Sequence, residues 1–254
     1  MTGTSQSNRN WHEKVVLAYI EEPPFGTLDQ RGFASGSDIE LAEEILRAMG
    51  VRTVEFLLTT FSELLPGVAA GEWEINVPLF VTVERAALVA FSTPVWALHD
   101  GFLVRAGNPK QLTSYEGLAL NADALLGVIT GQVQHNAPVR AGVPETRIKQ
   151  YAEQQEAIDA VMEGHVDAYA STALGNRTLV QRIGNAALSA VTLDLAEAAP
   201  YAPPKGAFSF SRTNVELRCE FDKQLRQYLG SPDHRSRMER YGLSAEEIDP
   251  VVGS

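Results

Sequence analysis

Short apolar runs alternate with helical stretches along most of this chain. Residues 15–20 (VVLAYI) read as a buried strand, followed by a Pro/Gly-rich loop, EPPFGTLDQRGFASG. The next segment, SDIELAEEILRAMG (37–50), predicts a helix. Ile39, Ala42, Ile45, Leu46 and Met49 share one face, Ser37 and Glu40 have capping-box spacing, and Gly50 supplies the stop. A second cycle follows. EFLLT (55–59) reads as a strand, Thr60 and Glu63 repeat the cap spacing before a short helix ending near Gly71, and INVPLF (75–80) is another strand. Pro78 points to a strand end or edge there.

The pattern restarts in the middle of the chain. LLGVIT (125–130), a helical stretch near 132–141, IKQYA (148–152), the helix EQQEAIDAVMEG (153–164) and DAYAS (167–171) form a second unit. GAFSFS (206–211) is a late strand, and helices are expected at 214–229 and 232–241. In the first of these, Val215, Phe221, Leu225 and Tyr228 recur at helical spacing, and Cys219 is expected to pack as a small residue on the helix. Strand–helix alternation predicts an α/β fold with parallel sheets. Two similar units enclosing a cleft would place ligands at strand carboxyl ends, near the loops after Ile20, Thr59, Phe80 and Thr130.

Composition narrows the function. The 254 residues include 44% hydrophobic positions, ample for a core, and 21 basic against 32 acidic residues give a net charge of −11. Such a chain repels phosphate backbones and anionic headgroups, so no nucleic-acid partner is expected. The single cysteine cannot form an internal disulfide. No run approaches the roughly 20 apolar residues of a membrane span. The first 14 residues are polar and lack the apolar stretch of a secretory signal. The five histidines (12, 99, 135, 165 and 234) are scattered and read as solvated surface positions. There is no metal-ligand cluster, phosphate-binding glycine loop or nucleophile elbow, so no catalytic residue, metal or cofactor is expected.

Several segments fall in a familiar order: EPPF, GSDIELAEEILRAMG, FSELLPGVAAGEWE, TVERAALVAFSTPV, then GVIT…AGVP, EAIDAVMEGHVDAY and GAFSFS. Over about residues 14–245 this order resembles the type II periplasmic solute-binding proteins of ABC importers for polar amino acids. The EPPF loop, an aromatic before the second helix, an LF pair shortly before ER, and GNP, AGVP and YGLSA resemble the ectoine/hydroxyectoine-binding members. The resemblance implies an α/β, two-lobed periplasmic binding protein type II fold, with a ligand cleft between lobes joined by two crossover segments. Lobe one would be residues 12–103 plus 205–254, and lobe two 104–204, with crossovers near Phe102–Asn108 and Leu195–Gly206. It also implies a non-catalytic monomer at the periplasm or cell surface, whose signal or lipid anchor lies outside this sequence. Its partners would be a small zwitterionic ligand, such as ectoine or hydroxyectoine, and a membrane ABC permease.

The same resemblance assigns ligand contacts. Arg85, with Thr82 and Glu84, matches a T-x-E-R motif whose arginine pairs with a ligand carboxylate; otherwise it is one half of a surface pair capping a helix. Glu22 stands where many relatives carry an aromatic, and would face a delocalised cation unless it is simply a solvated loop acid. Phe25, Phe61 and Phe80 would wall the cation, though each alone reads as core. Thr172 replaces an aspartate that holds an α-ammonium, and Gly131, Gln132 and Val133 replace a G-T-T helix start. An amino acid or opine-like ligand is the alternative. A dehydratase-like enzyme using Glu22, Glu84 and His135, or a sensory module, would share the fold.

Overall fold

Val15, Leu17 and Ala18 are fully shielded from solvent, as a strand walled on both faces requires. The computed structural model describes residues 10–184, 186–193 and 203–253. The chain begins with β1 (Lys14–Tyr19), a small arm of β2 (Thr27–Leu28) and β3 (Ala34–Ser35), α1 (Ser37–Ala48), β4 (Thr53–Leu58) and α2 (Phe61–Ala70). β5 (Ile75–Phe80), α3 (Val83–Leu88), β6 (Ala90–Phe91) and β7 (Trp96–Ala97) follow. The second unit comprises β8 (Asp100–Arg105), α4 (Tyr115–Leu120), β9 (Leu126–Ile129), α5 (Asn136–Arg140), β10 (Ile148–Tyr151), α6 (Gln154–Glu163), β11 (Ala168–Thr172), α7 (Ala173–Ile183) and β12 (Leu188–Thr192). β13 (Lys205–Phe210), α8 (Val215–Tyr228), α9 (Pro232–Glu239) and α10 (Ala245–Ile248) complete the described strands and α-helices.

Besides the small β2-β3 pair, the described strands form two large sheets, one for each lobe of a type II periplasmic binding protein fold. The first runs β4-β1-β5-β13-β6, with β7 also on β13; β1 is parallel to β4 and β5, and β13 is antiparallel to β5. The second runs β10-β9-β11-β8-β12. Along β8, Phe102 and Val104 enter one core cluster and Leu103 another, while Ala168 and Ala170 part from Tyr169 along β11. This period-two division means that both faces of the second sheet are covered. The first sheet's core includes Leu174 of α7, so the lobes touch through a helix of the second unit.

Several expectations need correction. Ser37 does not cap α1: the cap is Gly36, at φ 133, where an added Cβ would meet the Phe25 carbonyl oxygen at 2.2 Å. Ser37 is the first helical residue, and its N–H donates to the Pro24 carbonyl at 2.9 Å. The Thr60/Glu63 box does form, with Glu63 accepting the Thr60 N–H at 3.1 Å. Pro78 lies in a central strand, not at an edge. β1 pairs with β5 at Ile75 and Asn76, and the β13 register shifts between Ala207 and Ser209, so the ladder is interrupted where the proline lacks its donor. On α8 the buried row is Leu217, Phe221 and Leu225, whereas Val215 and Cys219 are exposed. His234 is fully buried, accepts the Gly230 N–H at 3.2 Å and has its pKa pulled down to about 4, mainly by burial.

The first crossing also lies earlier than Phe102–Asn108. β7 belongs to the first sheet and β8 to the second, so the chain changes sheets between Ala97 and Asp100. Most of the second expected crossing, near Leu195–Gly206, lies outside the described residues; the chain is in the first sheet from Lys205.

Candidate ligand cleft

At the end of β1 the chain makes a tight turn: the Phe25 N–H donates to the Glu22 carbonyl at 3.0 Å, and the Glu22 N–H to Gly26 at 2.9 Å. The first N–H groups of α1 then clamp this turn, Ser37 on Pro24 and Asp38 on Phe25. A helix start has donors to spare, and here the loop carbonyls take them. The clamp brings Glu22, Phe25 and Asp38 to the lining of one cavity.

Every expected loop contributes. Ile20, Glu22 and Phe25 come from the end of β1, Phe61 from the start of α2, and Phe80 and Arg85 from β5 and α3. The second unit supplies Gln132 and Val133 after β9, and Thr172 at the end of β11. Thr82 is not among the lining residues. Its hydroxyl accepts the Arg85 N–H at 3.2 Å and caps α3. Thr172 lines the cavity but also caps α7, accepting the Gly175 N–H at 3.0 Å. Glu84 is exposed and His135 lies off the lining, so Glu22, Glu84 and His135 do not converge on one cavity.

Arg85 is buried and Glu22 half-buried, and both are already partnered across the cleft. Arg85, 7% exposed, donates from Nη1 to the Phe80 carbonyl and from Nη2 to the Gly131 carbonyl, each at 3.0 Å. Its guanidinium sits 5.4 Å from the Phe61 ring centroid, and burial draws its pKa down to about 10, so it stays charged at neutral pH. Glu22 accepts from Gln132 Nε2 at 3.3 Å and Ser171 Oγ at 3.4 Å. Both the arginine and the glutamate of the first unit thus bond to the second. Gln132 Oε1 is buried without a hydrogen-bond partner.

Asp38, Trp96 and Gln134 also line the cavity, though no motif marks them. Asp38 is 2% exposed and accepts from Trp96 Nε1 at 3.2 Å and Ser37 Oγ at 3.3 Å. Gln134 donates to Asp100 at 2.8 Å, and Asp100 also accepts the Tyr115 hydroxyl at 2.9 Å. A buried acid in a short S-D-I helix start reads like any first-turn acid, so only tertiary packing reveals it.

Burial raises the pKa of Glu22 and lifts that of Asp38 well above its usual range; the Glu22 charge adds to the second effect. The unfolded chain releases these protons near pH ~4, before the folded chain does. Their contribution to stability is therefore full below that pH and is lost as pH rises through the folded values. In urea unfolding of the ligand-free protein from pH 4 to 7, Asp38→Asn should gain stability relative to wild type as pH rises. A pH-independent difference would contradict the assignment.

The sequence pattern of the bacterial extracellular solute-binding proteins, family 3, matches residues 15–243. A probable amino-acid ABC transporter periplasmic-binding protein of Sinorhizobium fredii (strain NBRC 101917 / NGR234) is 27% identical over 240 residues, spanning 93% of this chain and 79% of that protein. Among solved structures, EhuB in complex with hydroxyectoine superposes with a TM-score of 0.81 at 28% identity, covering 95% of each chain. An ancestral arginine-binding protein bound to arginine gives 0.78 at 25% identity, covering 90% of this chain and 97% of the other.

Proposed function

Because the chain belongs to the bacterial extracellular solute-binding proteins, family 3, we propose that its cleft captures a small zwitterion of the ectoine or hydroxyectoine type. At the coarser level it is an extracytoplasmic solute-binding protein of an ABC importer for amino acids or similar solutes, a family that works with membrane permeases. One observation carries the finer reading: the cavity holds one buried guanidinium, Arg85, one cross-cleft carboxyl, Glu22, and aromatic walls from Phe25, Phe61 and Phe80. The arginine's planar fork suits a carboxylate, and its two η nitrogens each carry a second hydrogen beyond those given to Phe80 and Gly131. The acid suits a delocalised cation.

In this reading the first lobe holds the ligand through Arg85, Glu22 and the phenylalanines. The second closes over it with Gln132, Val133 and Thr172, and Thr82 serves by fixing the start of α3. Residues 12–99 plus 205–254 would form lobe one and 100–204 lobe two, moving about the segment around Leu98. The protein acts as a monomer and presents its closed form to the permease. The likeness to EhuB favours the ectoines, and that to the arginine-binding protein favours an amino acid.

A thermal-shift screen against ectoine, hydroxyectoine, arginine, proline, glycine betaine and opines tests the ligand. A true ligand at a hundred times its Kd should stabilise by about 2.7 kcal/mol, raising Tm by about 5–10 °C. Selective stabilisation by ectoines is the expected result. Stabilisation by arginine alone would move the ligand to the amino acids.

A further inference from the structure

Trp96 occupies an unusual seat. A Cβ placed on Gly206 of β13 would lie 2.1, 2.2 and 2.4 Å from Cη2, Cζ3 and Cζ2 of its ring. Three consecutive ring carbons at nearly equal distances put the glycine beneath the ring face, since an edge approach would spread those distances. Only glycine permits this contact. The indole N–H is tied to Asp38 at 3.2 Å. The ring packs edge-on with Phe80, centroids 5.2 Å apart, and tilted against Phe25 at 5.7 Å. The indole is thus held by a glycine seat, a buried acid and two phenylalanines of the cleft, and Trp96 is among the residues that line the cavity.

We propose that Trp96 and Asp38 form one cation-recognising unit in the cleft: the indole ring is the wall on which the ligand's delocalised or quaternary cation rests, and Asp38 fixes that ring through its N–H. The inference rests on the solute-binding reading given above and deepens it by naming the feature of the ligand that is selected. Indole is the strongest of the aromatic cation acceptors, and a cavity that excludes water strengthens the attraction. An acceptor on the N–H polarises the indole and makes its face more negative. Asp38 is therefore a positioning residue that acts through Trp96, while Glu22 lies within electrostatic reach of it in the same cavity. The ligand class is a carboxylate joined to a cation whose charge is spread over several atoms, with Arg85 taking the carboxylate.

The test is calorimetry of wild type, Trp96→Phe, Trp96→Leu, Asp38→Ala, the Asp38→Ala/Trp96→Phe double variant and Arg85→Ala. Ectoine, glycine betaine and arginine are the probes, and unliganded melting curves report folding. Trp96→Leu should weaken the best probe about thirtyfold, and Trp96→Phe and Asp38→Ala should each weaken it about tenfold. The double variant should be no weaker than Trp96→Phe, because the acid acts through an N–H that phenylalanine lacks. Indole fluorescence should shift when the probe is added to wild type but not to Trp96→Phe, although Trp11 and Trp73 remain. Where Trp96→Leu fails to fold, the phenylalanine variant decides. Wild-type affinity in Asp38→Ala or Trp96→Phe, or additive losses in the double variant, alongside abolished binding in Arg85→Ala, would overturn this inference and leave the solute-binding reading standing. No binding of any probe to wild type would overturn both.

Discussion

Arg85→Ala should lower affinity for the proposed zwitterion by at least a hundredfold, with the protein still folded. The guanidinium is the only basic group lining the described cavity, so its loss would bury the ligand's carboxylate unpaired. Breaking a buried pair in this way costs about 3–5 kcal/mol. The change also deletes the bond to the Gly131 carbonyl, one of the few direct links from the first unit to the loop after β9. Arg85→Lys separates the two contributions. It keeps the charge but cannot serve Phe80, Gly131 and a carboxylate from one plane, so it should recover only part of the loss. Calorimetry with the best solute of the screen measures both variants. Retained affinity in Arg85→Ala would place the carboxylate elsewhere.

Asn76→Ala should produce the largest loss of intrinsic stability, about 3 kcal/mol and so a fall in Tm of about 6–10 °C. Asn76 is fully buried in β5. It accepts the Trp73 indole N–H at 2.5 Å and donates to the Leu64 carbonyl at 2.8 Å and to Ser209 Oγ at 3.0 Å. One amide therefore joins α2, β5 and β13, and alanine would strand the Trp73 indole N–H in the core. Ser209→Ala removes one of these bonds and should cost only about 1 kcal/mol. Thermal unfolding without ligand distinguishes the two. Equal losses would show that the Asn76 network does not act as a unit.

What could be read from the sequence follows from how local each cause is. The apolar face of α1 and the Thr60/Glu63 cap are visible because their partners lie within one or two turns. Capping-box spacing points to Ser37 rather than Gly36 as the cap of α1, because the true determinant is a distant loop pressed on Gly36. Thr82 shows the converse: its spacing to Arg85 is that of an N-cap, a signal open to the sequence but overshadowed by the ligand motif. The cavity phenylalanines and Arg85 follow from strand ends and motif order. Asp38 and Trp96 do not, because β7 is two residues long and shows no period, and the Trp96 seat depends on Gly206 far along the chain. Leu217 was likewise missed on α8 because the apolar row can be started at Val215 or two residues later, and only packing chooses.

The cross-cleft bonds of Arg85 and Glu22 bear on how the importer chooses among solutes. Gly131, Gln132 and Ser171 supply them from backbone and neutral side chains, without reference to what the cavity holds. A closing step driven by such contacts is shared by every solute small enough to be enclosed. Discrimination would then fall on the encounter with the open first lobe, and competing solutes would be sorted by how long each lingers there. An impostor that survives this encounter would be delivered as efficiently as the proper cargo, so the mixture entering the cell would follow the external supply of all solutes that pass the first selection.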